Sequence, residues 1–138
     1  MRIGDAAAAA GTTPRTLRFY EQRGLLDPPE RTATGQRTYR QRDVARVRIV
    51  RQLLALGLTV EDVASMARYL HLIEGDALPE RGIPLDLPGQ EQLLRDATRV
   101  AGDRLAALDA EIARLSRFRD LLAACHAHVE RAPATRSG

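Results

Sequence analysis

Between residues 94 and 129, apolar or small residues recur at a spacing that no small globular core would require. They fall at Leu94, Ala97, Ala101, Leu105, Leu108, Ile112, Leu115, Phe118, Leu122, Cys125 and Val129, and the steps between them average 3.5 residues. That is the period of a left-handed coiled coil. Gly102 costs such a helix about 1 kcal/mol relative to Ala, and Pro133 predicts its end. At 1.5 Å per residue, some 38 residues make a rod of roughly 57 Å. The residues before it are too few to cover the stripe, whereas a second copy of the chain can. The expectation is a homodimer through a helix at 92–130, with the two copies antiparallel. Leu105, Leu108, Ile112, Leu115, Phe118 and Leu122 form its seam.

With 138 residues in all, a rod of this length leaves room for one small head. The formal charge of +3 hides an asymmetry along the chain. Residues 1–70 hold 12 Arg against 7 acids, while residues 71–138 hold 9 Arg against 11 acids. Within 31–51, seven Arg face a single acid, Asp43. This density suits a polyanion such as nucleic acid, and it equally suits a solvated basic face. Every basic residue is Arg and none is Lys, which a GC-rich genome would produce without selection. Arg does bring bidentate geometry to phosphates and guanine edges.

Several function classes are disfavoured. One Cys excludes an internal disulfide and a multi-Cys zinc site, and suits a reducing compartment. The early run Ala6 to Ala10 is too short for a signal-peptide core, and no stretch approaches the ~20 residues of a membrane span. A cytoplasmic protein without a membrane partner is expected. Aromatic content of 4% without Trp argues against a stacking platform for single strands. The chain shows no Gly-rich phosphate loop, nucleophile elbow or carboxylates paired in an apolar setting, so neither enzyme nor cofactor is expected.

Punctuation divides the first 70 residues. Asp5 to Ala10 reads as a short helix closed by Gly11. Thr13-Pro14 reads as an N-cap followed by proline at the first helical position, opening a helix to about Arg23 that ends at Gly24. Its Leu17 and Tyr20 or Glu21 lie a turn apart. Two short helices joined by a Gly-containing turn match a helix-turn-helix, and also many αα-hairpins. Residues 31–40 read as a two-stranded hairpin turning at Thr34-Gly35, a wing bearing Arg31, Arg37 and Arg40. A third helix is predicted from Gln41 to Leu56 with Val44, Val47, Val50 or Arg51, and Leu54 along one face, ending at Gly57. Thr59 and Asp62 resemble a capping box for a fourth helix that buries Val60, Val63, Ala64, Ala67 and Leu70 or His71. Three prolines and three glycines in 74–90 exclude a periodic element there, although Leu78, Ile83, Leu85 and Leu87 suggest packing. The domains expected are a winged helix-turn-helix head at 1–72, a connecting loop at 73–91, a dimerisation helix at 92–130 and a flexible tail at 131–138.

The fold class is therefore mainly α: a winged helix-turn-helix head followed by a long antiparallel coiled-coil helix. This order resembles the MerR family of transcriptional regulators. The stretch Arg15-Thr-Leu-Arg-Phe-Tyr-Glu-Gln-Arg-Gly-Leu-Leu26 is similar to the family's N-terminal pattern in residue type and spacing. So are Arg31-x-x-x-Gly35-x-Arg37-x-Tyr39 and Gly57-Leu-Thr-Val-Glu-Asp-Val63. The resemblance covers residues 2–70 by motif and 92–125 by architecture only. It implies a dimer on promoter DNA that bends and untwists an overlong spacer, so that RNA polymerase engages both hexamers. It further implies that Arg15, Thr16 and Arg18 face bases or phosphates and that the Tyr20 hydroxyl meets a phosphate. Arg31, Arg37 and Tyr39 would hold the flanking backbone, and Arg51 another phosphate. Phe19 reads as core, and Arg23, Arg42, Arg46 and Arg48 read as solvated charges. Tyr39 has a second reading, as packing between wing and third helix.

Metal sensors of the family use cysteines near the start of the dimer helix and beyond its end. Cys125 with His126 and His128 invites that comparison. Yet Cys125 falls on the seam, no second Cys accompanies it, and His126 does not share its helical face. The [2Fe–2S] branch needs four Cys and is excluded. No metal site is expected, with Cys125 and His128 as the only candidates. A small-molecule effector would have to lie among the dimer helix, the fourth helix and the 74–90 loop, and the same loop could simply cover that junction. An effector-independent architectural protein or repressor of the same fold is the alternative reading.

Overall fold

Local chemistry sets most boundaries in the computed structural model, which describes residues 1–80 and 91–132. Helix α1 spans Ile3–Ala10 and stops where Gly11 adopts φ 70°, the left-handed conformation that costs glycine nothing. The Gly11 and Thr12 N–H groups then donate to the carbonyls of Ala8 and Ala7 at 3.1 and 2.9 Å. Helix α2, Pro14–Gln22, opens as its sequence predicts. The Thr13 hydroxyl accepts the Thr16 N–H at 3.2 Å, and Pro14 occupies the first turn, where no donor is needed. Strands β1 (Glu30–Arg31) and β2 (Arg37–Thr38) pair antiparallel, Glu30 opposite Thr38 and Arg31 opposite Arg37. Gly35 closes the turn at φ 82°, where its N–H donates to the Thr32 carbonyl at 2.8 Å.

Helix α3 (Gln41–Ala55) carries the largest share of the core. It buries Val44, Val47, Ile49, Val50 and Leu53. These pack with Leu17 and Tyr20 of α2, with Ala6, Ala7 and Ala10 of α1, and with Leu25, Leu26 and Tyr39. Each fully buried aliphatic side chain contributes roughly 1.5–3 kcal/mol relative to exposure.

The fourth helix of the sequence reading is two helices. Helix α4 spans Val60–Ser65 and α5 spans Ala67–Leu70, with Met66 at φ −109° and ψ 15° between them. The Ser65 hydroxyl donates to the Asp62 carbonyl at 2.7 Å, a local bond that competes with the helical ladder just before the break. The predicted Thr59–Asp62 capping box is present, with both reciprocal bonds at 3.0 Å.

From the loop, residues 74–80 lie along α3. Gln52 donates to the Asp76 carbonyl at 2.9 Å and accepts the Leu78 N–H at 3.0 Å. Ile83, Leu85 and Leu87 lie outside the described residues, as does Pro133. Helix α6 spans Glu91–Arg131. The chain divides into two compact units after Ala101. Ala97 and Val100, in the first turns of α6, belong to the core of the first unit. The second unit is the rest of that helix, where Leu105, Ile112, Leu115, Phe118 and Leu122 are each more than half exposed and Leu108 partly so. Leu121, which the stripe does not include, is exposed beside them. No described helix is long and apolar enough to cross a membrane.

Candidate nucleic-acid interface

The capped N-terminus of α2 leaves one face of a short helix in solvent. Burial of Leu17 and Tyr20 fixes that face, and Arg15, Arg18, Phe19, Gln22 and Arg23 stand on it. Beside it the hairpin turns back on itself, and the Arg31 guanidinium folds over the turn to donate to the Gly35 carbonyl at 2.8 Å. The result is a shallow groove bordered by α1, α2 and the hairpin, in which Arg2, Arg18, Arg31 and Arg37 converge with Asp5 as the only acid. Three of these four Arg are ones the sequence singled out. Arg2 is the addition, brought in because α1 begins next to the wing.

One acid holds helix and hairpin together. Glu21 on α2 has a side chain only 10% exposed, and it accepts the hydroxyl of Tyr39 through Oε1. Its Oε2 lies 3.3 Å from Nε of Arg37. That pair is an electrostatic contact, because the Nε–H has no hydrogen-bond partner in proper alignment. The Tyr39 hydroxyl is pushed far above the ordinary phenol value by burial first and then by Glu21, while Arg37 and Arg18 oppose the shift. Sequence reasoning missed Glu21. The sequence reading sets it a turn from Leu17 without a role, because its partners are 16 and 18 residues away in the sequence.

Tyr39, expected at the DNA backbone, is 4% exposed and gives its hydroxyl to Glu21 of α2. Phe19 and Tyr20 exchange their expected environments. Tyr20 is 6% exposed and Phe19 is 39% exposed, so the tyrosine ring belongs to the core and the phenylalanine stands outside it. Burial raises the Tyr20 phenol, and the nearby Arg51 charge opposes that shift. Arg51 lies apart from the groove. Its Nη1 donates to the Ala10 carbonyl at 2.7 Å, bracing α3 against the end of α1.

The Arg read as solvated are also more engaged than expected. Arg48 donates to the Ala9 carbonyl at 2.7 Å and pairs with Asp76 at 2.6 Å. Arg46 is half-buried with Nη1 enclosed, and desolvation lowers its pKa against the pull of Asp27. Arg23 pairs with Glu61 at 3.9 Å and lies over the Phe19 ring. Cys125 is exposed, and among the described residues no three His, Cys, Asp or Glu gather as a metal ion would require.

The model of the MerR HTH family regulatory protein matches residues 1–70. The mercuric resistance operon regulatory protein of Pseudomonas fluorescens is 32% identical over 130 residues, which cover 92% of this chain and 78% of the relative. The HTH-type transcriptional regulator HmrR of Sinorhizobium medicae is 39% identical over 66 residues, covering 48% of this chain and 45% of its own. The chain spans about half the length of most of the curated relatives it matches. Among solved structures, HiNmlR, a MerR family regulator lacking the sensor domain and bound to promoter DNA, covers 95% of this chain and 90% of its own. It does so at a TM-score of 0.57 and 22% identity, which is a likeness of fold.

Proposed function

The chain belongs to the MerR family of HTH regulatory proteins, and from that premise we propose that it is a homodimeric transcriptional regulator acting on a promoter duplex. The convergence of Arg2, Arg18, Arg31 and Arg37 on one groove beside the exposed face of α2 carries the reading. A surface with four guanidinium groups and one carboxylate is suited to phosphates, and a helix of this width fits the major groove. Arg15, Thr16 and Arg18 read base edges or adjacent phosphates from α2. Arg31 and Arg37 hold the flanking backbone from the wing, with Tyr39 acting through Glu21 to orient Arg37. Tyr20 stays in the core and Arg51 stays on the Ala10 carbonyl, so neither is assigned a phosphate. The exposed stripe of α6 pairs with its copy in the antiparallel sense. The 1–72 head, the 73–91 connection, the 92–130 dimer helix and the 131–138 tail divide this work.

Regulation follows from deformation. The dimer bends and untwists an overlong spacer so that RNA polymerase meets both promoter hexamers, in response to a small-molecule effector that is not a metal. Relatives named for mercuric resistance and heavy-metal dependence make metals the competing effector. The lone thiol of Cys125 supports the non-metal reading. The test is footprinting on the DNA upstream of the chain's own coding sequence, followed by transcription in vitro from promoters with native and shortened spacers. Activation on the long spacer alone is expected, with the footprint unchanged on adding effector-containing cell fractions. Equal transcription from a normal-length spacer rejects untwisting. Induction by copper, zinc or mercury salts that is lost in Cys125→Ser rejects the non-metal effector.

A further inference from the structure

Phe19 stands outside the core, and its ring meets the guanidinium of Arg23. It is a large apolar side chain 39% exposed on the face of α2 that also presents Arg15 and Arg18, one turn and one residue away. Its ring does not swing free. The Arg23 guanidinium lies 5.5 Å from its centroid, and the buried Tyr20 ring sits 6.2 Å away at an angle of 51°. Tyr20 on its own helix and Arg23 at the helix C-cap therefore set its orientation, and the rest of the ring looks outward. Apart from the Arg23 contact, exposing so apolar a ring to water gains the fold little. It becomes favourable when an apolar group covers it.

A duplex major groove offers one such group. The C5-methyl of thymine is the only apolar projection on a base edge there, and a phenylalanine on a recognition helix is a suitable partner for it. We infer that Phe19 is a specificity-determining residue, which contacts a thymine methyl next to the base or phosphate engaged by Arg15 or Arg18. The inference rests on the DNA-binding reading above and deepens it: the half-site carries a preferred thymine that no hydrogen bond selects.

The chemistry of the methyl group gives a clean test. Duplexes bound by the full chain are selected from a randomised library, and each thymine of the selected site is replaced in turn by deoxyuridine, which keeps every hydrogen-bonding group. One position per half-site should lose affinity roughly three- to fivefold for each methyl removed. Phe19→Ala should weaken the unmodified duplex by a similar factor and be insensitive to deoxyuridine at that position. Phe19→Leu, which keeps an apolar tip, should retain part of the discrimination and controls for folding. Selection of no duplex overturns the DNA-binding reading and this inference together. A selected duplex whose thymines are all replaceable without loss, or a deoxyuridine penalty unchanged in Phe19→Ala and Phe19→Leu, overturns this inference alone.

Discussion

Glu21 shows how one side chain converts a hairpin and a helix into a single surface. Held by Tyr39 and lying against Arg37, it fixes the distance between the wing and α2. Substitutions around it should separate positioning from charge. Arg37→Ala should weaken all sequences alike and flatten the dependence of log affinity on log salt by about one unit per subunit in a salt titration. Arg18→Ala should cost roughly 1–3 kcal/mol and, if the side chain reads a base, relax preference at one position of a selected site. The tyrosines offer a pH test. Burial raises the phenols of Tyr20, Tyr39 and Tyr69 above the ordinary 10.0, so the fold favours their neutral forms. Their contribution to stability is complete below about pH 10 and is lost as pH rises through the folded values. Denaturant midpoints measured across alkaline pH should therefore fall, and Tyr39→Phe should shallow the decline.

At the scale of elements, caps and glycines were readable because their chemistry is local. Thr13-Pro14, Gly11, Gly35 and the Thr59–Asp62 pair each mark a boundary within four residues of the groups they satisfy. The environment of Phe19 and Tyr20 was not readable in that way. Adjacent helical positions point about 100° apart, and which of them is buried depends on how α2 meets α3. Glu21 was hidden for the same reason, as was the break at Met66, where a serine back-bond interrupts a pattern that sequence periodicity carries straight through. Gly11 has a second, tertiary role. A Cβ there would lie 2.8 Å from Arg51 Nη1, so the bare backbone is what lets α3 brace the end of α1. Gly11→Ala should destabilise the head by about 1–2 kcal/mol, from the left-handed backbone alone. Combined with Arg51→Ala it should cost less than the sum of the two, because both remove the same brace. Thermal or denaturant unfolding of the three variants measures this.

For the whole molecule, the two units differ in what they need. The first buries its own core, including Ala97 and Val100, whereas the second is a helix whose apolar stripe stays in solvent unless another chain covers it. Isolated helices gain little stability from propensity alone, so folding of the second unit should be linked to association. Ile112→Asp or Leu115→Asp should convert a dimer to monomer in sedimentation experiments and lower helix content. Affinity for a two-half-site duplex should fall far more than for a single half-site.

Cys125, exposed at a position of that stripe, makes helix direction measurable by distance. A nitroxide attached there places one spin on each chain without any engineered thiol, since the sequence holds a single cysteine. Parallel helices would bring the two spins to coiled-coil contact and strong dipolar broadening. Antiparallel helices would hold them apart by a fixed interval that reports the register of the pair. The thiol that reads poorly as a sensor is thus a natural ruler for assembly.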